Sequence, residues 1–516
     1  MKKPFFYISI FIVSCIYAKL SHLIDWDLWA RLAVGKIYFQ IGQVLKNDIF
    51  SYTPTKPIWV DHEWGSGVLF YYIVNYFGDI GLVVFKISTV FLLLLLISRV
   101  VKLNNPAPNA HLNILFYILT VMGTYYGAIG SVRCQLFTFL FFALWIYVLE
   151  RVRRGEKRLL WIIPATSVVW VNLHGGIVAG FGLLIIYGIG EYLNGKPFKH
   201  YFLTLIPSAL VTLINPYGIQ YWEFIIHAAT MPRVTIAEWF PTGILPFARW
   251  KGFKIFGIVA ILSFVAYLIK SKFRYKEIDK VKILLLLITF YLAMAHNKHQ
   301  TLFVISGACF LYHDFYNIFG LIGKFIAEKI SKTPDRFLSV FSKVKNIMVF
   351  GSIIITGSLI IFSSPMKLTI HQIKYPVGSV EFLKLNNFKG NVATVFHWGS
   401  FVAWKLYPDF LIAEDGRYEE VYPDEVHFKV YDLNYKITKN WLNILTDYHT
   451  DVIIYEKGNV RGYKALLENR EWKPVYTDLV STVFVPADKA RKLYKMPVLD
   501  QEKIDREKFD TNIDFK

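Results

Sequence analysis

The chain has 516 residues, 54% hydrophobic and 17% aromatic, with a formal net charge of +19. That is too apolar for an ordinary soluble enzyme of this length, and repeated apolar runs of about 20 residues give a polytopic membrane protein. The basic excess sits in short segments between those runs, where the positive-inside bias places it, so it argues for membrane topology and against nucleic-acid binding. Cys15, Cys134 and Cys309 all lie in or beside apolar runs, which excludes a disulfide framework and a cysteine-based zinc site.

In chain order, Met1-Lys2-Lys3-Pro4 precedes an apolar run with no small-residue cleavage site, as in a retained signal anchor. About eleven spans follow from length and apolarity: 4–20, 80–101, 111–130, 134–150, 159–173, 176–193, 200–214, 253–270, 281–296, 300–317 and 346–364. Residues 64–78 are apolar, short and aromatic, and fit a helix lying in the outer interface. Were that stretch to cross as a twelfth span, everything after it would change sides. With Lys2 and Lys3 inside, eleven spans put the basic clusters 151–158, 270–282 and 324–345 inside. Loops 21–79 and 215–252 and the region from 365 onward then face outward.

The C-terminal region is charged, with apolar runs of strand length at 391–396, 410–413, 451–455, 473–476 and 482–485. Helical patterns at 379–385, 441–448 and 463–469 lie between them. That alternation predicts a small soluble α/β domain. The expected division is therefore a helical membrane domain over 1–364, with outer loop 21–79 and its interfacial helices, and an extracytoplasmic domain over 365–516.

Two acidic clusters stand in the first outer loop, Asp25-Trp26-Asp27-Leu28-Trp29 and Asp61-His62-Glu63-Trp64. Either Asp25 or Asp61 could simply cap a helix, and Asp27 would then lie in a first turn favoured by the helix dipole. Carboxylates beside a membrane could also remove a proton or hold a metal ion. Ionisable groups elsewhere gather in the outer half: Lys86 about two turns into the second span, and Arg133, His174, His296, Lys298 and His299 at outer span ends. A charge within a span costs about 2.5–3.5 kcal/mol on insertion scales. Interfacial snorkelling is one reading, which fits Lys298 and His299; the other is that the cations together hold a lipid-linked phosphate. Asp415-Gly416-Arg417 is either a ligand-facing loop or a turn whose Arg417 serves Glu419 and Glu420 at the surface.

Asp25-x-Asp27-Leu28-Trp29, Gly35, Asp48-x-Phe50-Ser51-Tyr52-Thr53 and Trp59-x-x-His62-Glu63-Trp64 carry a resemblance. So do Arg133-x-Gln135-Leu136-Phe137-Thr138, the stretch 170–176, Asn215-Pro216-Tyr217-Gly218, Trp398-Gly399-Ser400-Phe401 and Asp415-Gly416-Arg417. The chain resembles a set of bacterial multi-pass membrane proteins of GT-C-type glycosyltransferase architecture. Their organisation is similar to that of protein O-mannosyltransferases and lipid A aminoarabinose transferases. The resemblance implies a bacterial inner-membrane enzyme of the cell envelope, N-terminus cytoplasmic. It implies hexosyl or pentosyl transfer from a polyprenyl-phosphate donor to a glycan, lipid or protein acceptor outside the cytoplasm.

In that reading Asp25 activates the acceptor hydroxyl, Asp27 assists or holds Mg²⁺ or Mn²⁺, and Glu63 is a third catalytic acid. His62, Lys86, Arg133, His174 and Lys298 bind substrate. No other cofactor is expected, and the chain has neither a P-loop nor a dinucleotide fingerprint. The competing expectations are a non-catalytic polyprenyl-lipid-binding protein, a lipid-linked glycan transporter, for which inverted repeats and midplane charges are missing, or a ligase, which shares the lipid donor.

Overall fold

The computed structural model describes residues 3–20, 24–104, 114–124, 131–231, 233, 235–243, 251–272, 274–330, 351, 355, 357, 368, 370, 374–491 and 494–496. Contacts divide the chain into two compact units: Met1–His22, Val83–Asn215 and Pro232–Lys367; and Leu23–Leu82, Pro216–Met231 and Leu368–Lys516.

The first unit is helical. Lys3–Leu20, Ile114–Thr124, Gln135–Val152, Ile162–Leu173, Ile177–Leu193, Lys199–Val211, Lys251–Lys270, Lys280–Ala295, Gln300–Phe310 and Tyr312–Ile330 belong to it, with the second half of Trp64–Asn104. Nine of the eleven expected spans each overlap one of these helices, though 111–130 only over Ile114–Thr124 among the described residues; 300–317 is divided at Leu311 between Gln300–Phe310 and Tyr312–Ile330, and 346–364 lies almost wholly outside the described residues. Trp64–Asn104, Gln135–Val152 and Lys251–Lys270 are long and apolar enough to cross a bilayer. The first of these is broken at Gly78 (φ 63°, ψ −162°), a backbone region that glycine enters without steric cost. The break falls where the sequence separates the 64–78 helix from the following span.

The basic residues at 151–154 serve packing. Arg153 reaches Glu150 at 3.0 Å, Glu191 at 2.9 Å and Asp279 at 3.0 Å, tying three helix ends together.

The second unit is α/β. A five-stranded sheet runs in the order β2-β1-β3-β5-β4, with β1 Gly390–Thr394, β2 Phe410–Ile412, β3 Val452–Glu456, β4 Trp472–Thr477 and β5 Ser481–Pro486. β1 pairs in parallel with β2 and β3, and β5 is antiparallel to β3 and β4. The five strands lie on the five apolar runs read from the sequence. Val452, Ile453, Ile454 and Tyr455 are all buried, as expected of a strand covered on both faces. Helices Val377–Leu385, Asn443–Asp447 and Val460–Glu468 match the three expected ones, while Gly399–Leu406 and Asp424–Tyr435 are additional.

The segment before Trp64 packs on this sheet, so contacts group residues 23–82 with the C-terminal region rather than with the helices. Ser51 makes a parallel bridge to Ile412. Ile412 N donates to Phe50 O at 2.8 Å and Tyr52 N to Ile412 O at 3.1 Å. The loop thereby covers the free edge of β2, a position that would otherwise leave unpaired backbone groups. Thr53 Oγ1 donates to Ala413 O at 2.6 Å, and Tyr217 OH to Leu45 O at 3.1 Å. Backbone satisfaction explains the grouping better than chain order does.

Candidate functional site

Within the second unit, helix Trp26–Ile41 brings its N-terminus to the carboxyl edge of the sheet. Asp25 is its N-cap, with extended backbone and a side chain that accepts from Asp27 N at 3.1 Å. Asp27 stands in the first turn, and its Oδ1 lies 2.8 Å from where a Cβ on Gly416 would be. Gly416 belongs to the loop that follows β2. Trp26 packs on Tyr375 (centroids 4.2 Å apart) and His397 (4.7 Å), and Trp29 Nε1 donates to Tyr375 OH at 3.2 Å. Burial pushes the His397 imidazole down to about 4, so its 3.8 Å approach to Glu456 is contact with a neutral ring rather than an ion pair. In open α/β sheets ligands sit beyond the carboxyl ends of the strands, where connections leave in opposite directions. β1, flanked by β2 and β3, is that point here.

Arg417 anchors the loop from below. Its Nη1 donates to Asp48 Oδ1 at 2.6 Å and its Nε to both oxygens of Asp415, at 2.9 and 3.0 Å. Its guanidinium faces the rings of Phe50 (4.9 Å) and Trp59 (4.8 Å). Asp48 also accepts from the backbone N–H groups of Phe50 and Ser51. The surface role expected for Arg417 with Glu419 and Glu420 is therefore corrected. Arg417 is 2% exposed, because a planar guanidinium bonded to two carboxylates between two rings tolerates burial that a lone cation does not.

Glu420 instead joins the second acidic cluster. One turn beyond Asp27, Arg31 pairs with Asp61, with Glu63 at 3.3 Å and with Glu420 at 3.4 Å. Trp59 Nε1 donates to the other Glu420 oxygen at 2.8 Å, and His62 Nδ1 lies 3.1 Å from Glu420. Burial opposes charge on His62, but Glu420, Glu63 and Glu419 outweigh it and push the imidazole up to about 9. Burial likewise opposes charge on Glu420, yet Arg31 and His62 hold it down at about 2. For Asp61, burial outweighs Arg31 and the carboxyl rises to about 6.

Among the described residues, His62, Glu63 and Glu420 form a group whose ligand atoms all lie within 4.8 Å of one another. One imidazole nitrogen and two carboxylates make a donor set for a divalent cation. Asp27, expected from the sequence to hold the metal, is not in the group. Arg31 and Glu420 were missed at the sequence level. The spacing from Asp27 to Arg31 is one helical turn, the one local signal for Arg31; nothing local marks Glu420.

The remaining expected residues lie in the first unit. Lys86 is buried, with Nζ 5.7 Å from the Tyr17 ring. Arg133 pairs with Glu238, whose carboxyl Arg133 and Lys298 hold below its usual range against burial. Lys298 lies 3.6 Å from the centre of the Trp239 ring and Arg233 3.9 Å from it, and the imidazole of His296 reaches Trp239 O at 2.7 Å. Glu238 and Trp239 thus bring Arg133 and Lys298 into one cationic, aromatic cluster that also holds Arg233, which the sequence reading missed. His174 is held separately: its Nδ1 lies 2.7 Å from Thr138 Oγ1 and accepts from Gly176 N at 2.9 Å.

No family model matches the chain, and no curated protein matches it in sequence. Solved structures do. The Archaeoglobus fulgidus oligosaccharyltransferase in its apo form is 9% identical, with a TM-score of 0.60 over 96% of this chain and 76% of that one. AglB from the same organism, in complex with an inhibitory peptide and a dolichol-phosphate, is 9% identical with a TM-score of 0.61 over 95% and 75%. ArnT from Cupriavidus metallidurans, in the apo state, is 11% identical with a TM-score of 0.53 over 95% and 98%. At such identities the likeness is one of fold, and the fold it shows is the GT-C architecture of these glycosyltransferases.

Proposed function

We propose that the chain is a membrane glycosyltransferase moving a sugar from a polyprenyl-phosphate-linked donor to an acceptor on the extracytoplasmic side of a bacterial inner membrane. The observation that carries this reading is Asp27, whose carboxylate stands at the carboxyl edge of the soluble sheet in a chain of GT-C fold. The dolichol-phosphate held by AglB supports a lipid phosphate as donor. The acceptor peptide tethered to the oligosaccharyltransferase supports a peptide as the first to be tried of the expected glycan, lipid and protein acceptors.

Transfer needs a base for the acceptor hydroxyl and positive charge for the departing phosphate. Asp25 and Asp27 are assigned the first task. Asp27 takes the leading part, since Asp25 already accepts the helix-capping hydrogen bond. Arg133 and Lys298, with Arg233, are assigned the second; Lys86 and His174 are assigned to donor binding. Glu63 and His62, tied into the Arg31 network, hold the second acidic cluster in place. A divalent cation, Mg²⁺ or Mn²⁺ by the sequence expectation, fits His62, Glu63 and Glu420. Bound there it would supply Lewis-acid charge.

The test is transfer in proteoliposomes carrying a polyprenyl-phosphate-linked sugar. Asp27→Asn is expected to lower the rate by about 10²-fold or more, in line with loss of a general base, while detergent-purified protein keeps its unfolding temperature. Full activity in that variant removes Asp27 from the reaction. A C-terminal reporter active only in the cytoplasm overturns the orientation.

A further inference from the structure

Helix Asp424–Tyr435 turns three aromatic rings away from the core. Val426, Val430 and Leu433 are buried, whereas Phe428 and Tyr435 are 47% and 57% exposed and Tyr431 is half-buried. Positions 428, 431 and 435 are three and four residues apart, so they share one helix face. The Tyr431 and Tyr435 rings lie 5.0 Å apart. At 1.5 Å per residue the row is about 10 Å long, more than one monosaccharide covers. Large apolar side chains exposed together mark a binding face, and no step of the proposed transfer uses these three.

The row leads to the carboxyl edge of the sheet. The loop after β3 is tied to the end of this helix: Tyr455 OH donates to Leu433 O at 3.0 Å, and Asn459 Nδ2 donates to Tyr455 OH at 2.9 Å and to Asn434 O. Glu456 leads into that loop with a carboxylate oxygen 3.8 Å from His397 Nε2, and His397 in turn packs on Trp26. All three side chains are half-buried. β2, β1 and β3 are consecutive in the sheet. Gly416 with Asp27, His397 with Trp26, and Glu456 therefore follow three neighbouring strands, each about 4.8 Å from the next. Tyr435 stands near Glu456: burial and that carboxylate push its phenol up, which keeps the hydroxyl protonated and able to donate. Aromatic and hydrogen-bonding groups thus continue from Asp27 to Phe428.

Charge and chemistry select the occupant. The helix carries Asp424, Glu425 and Asp432 against Lys429 alone. Lys429 is bound to Glu425 at 2.6 Å and to Asp447 at 2.8 Å. Lys436, just past the helix end, is 3.8 Å from Asp432 and 5.4 Å from the centre of the Tyr431 ring. The helix has no surplus of cations to attract a phosphate or an anionic lipid surface. A peptide that adds to a strand edge needs unpaired backbone groups, which a helix face does not offer. Ring faces suit the C–H faces of a sugar, and the Tyr435 hydroxyl and Glu456 carboxylate suit its hydroxyl groups. We propose that this face binds a neutral oligosaccharide, laid across Phe428 and Tyr435 and reaching past His397 toward Asp27. That the oligosaccharide is the acceptor of the transfer rests on the function proposed above; that it binds does not.

The test uses the full-length protein in a detergent without a sugar headgroup, titrated calorimetrically with maltohexaose, cellohexaose and chitohexaose, with no lipid donor present. Wild type is expected to bind at least one of them, and Phe428→Ala and Tyr435→Ala each to bind it about tenfold or more weakly, the weight of one anchoring ring. Both side chains are exposed, so both variants are expected to keep the unfolding temperature. Should either not, Phe428→Leu or Tyr435→Leu, which keeps bulk without the ring, takes its place. Sugar binding by a protein that transfers nothing overturns the function proposed above and leaves this site standing; transfer without sugar binding does the reverse. Binding of none of the oligosaccharides, wild-type affinity in both variants, or binding of a short mixed-sequence peptide in place of any sugar overturns the proposal.

Discussion

Asp27 Oδ1 lies 2.8 Å from the point at which a side chain on Gly416 would begin, and Ser400 Oγ lies 3.8 Å from the same point. A methyl group there must displace the carboxylate. Gly416→Ala is expected to cost under about 1 kcal/mol of stability, because the group in the way is the end of a side chain that can turn aside, and to lower transfer by about 10²-fold, because a displaced reacting group loses its geometry. Rates in proteoliposomes beside unfolding temperatures check both numbers. Unchanged transfer would mean that Asp27 acts elsewhere or not at all.

Asp25 has two separable properties, a capping oxygen and a charge. Asparagine caps about as well as aspartate, whereas alanine forfeits about 1 kcal/mol. Asp25→Asn should therefore keep wild-type stability and Asp25→Ala should lose about that amount. If transfer needs the carboxylate, both variants lose activity equally. Activity that tracks stability instead makes Asp25 a cap and nothing more.

Arg417 joins Asp48 of the first loop to Asp415 of the loop after β2. Replacing it by Met leaves two buried carboxylates without a counter-charge, which costs about 3–5 kcal/mol. Limited proteolysis of Arg417→Met should open the 48–60 segment before the sheet itself. Equal protection of that segment in wild type and variant would show that the backbone bonds to Ile412 suffice to hold it.

The His62 imidazole, at about 9, lies above its ordinary value of 6.5. The folded state thus binds the proton more tightly than the unfolded chain does. The stability this contributes is fully present below pH 6.5 and is lost as pH rises through 9. Glu420, held at about 2 against an ordinary 4.5, acts oppositely: its contribution is full above 4.5 and is lost as pH falls through 2. Unfolding temperatures measured from pH 6 to 9.5 should decline in wild type and decline less steeply in His62→Gln. Added Mn²⁺ should raise the unfolding temperature more at pH 8.5 than at pH 6.5, since a metal competes with the His62 proton. A flat profile, or a metal effect independent of pH, removes His62 from that role.

Local pattern carried much of the architecture. Among the described residues the apolar runs overlap helices, although 300–317 is divided between two, the break between 78 and 80 falls at Gly78, and the five C-terminal runs are the five strands. Asp25 is the cap that its position before Trp26 suggested. These features depend on residues a few places apart, which is the range over which hydrophobic periodicity and capping act.

Partners far apart in the chain were not legible. Asp48 and Arg417 are 369 residues apart, Arg31 and Glu420 are 389 apart, and Arg417 looked like a partner for its own neighbours because proximity in sequence was the one distance available. What the sequence by itself determined is the kind of chain, its helices and strands, and the acidic stretch at the mouth of the first loop. Only the tertiary structure decided that residues 23–82 complete the C-terminal sheet and that Glu420 joins the second acidic cluster. It also decided that Asp27 meets Gly416 and that Arg133 and Lys298 share one indole-centred cluster. The physical reason is that a buried charge selects its partner by removal from water, and which groups lose water together is settled by packing, not by order along the chain.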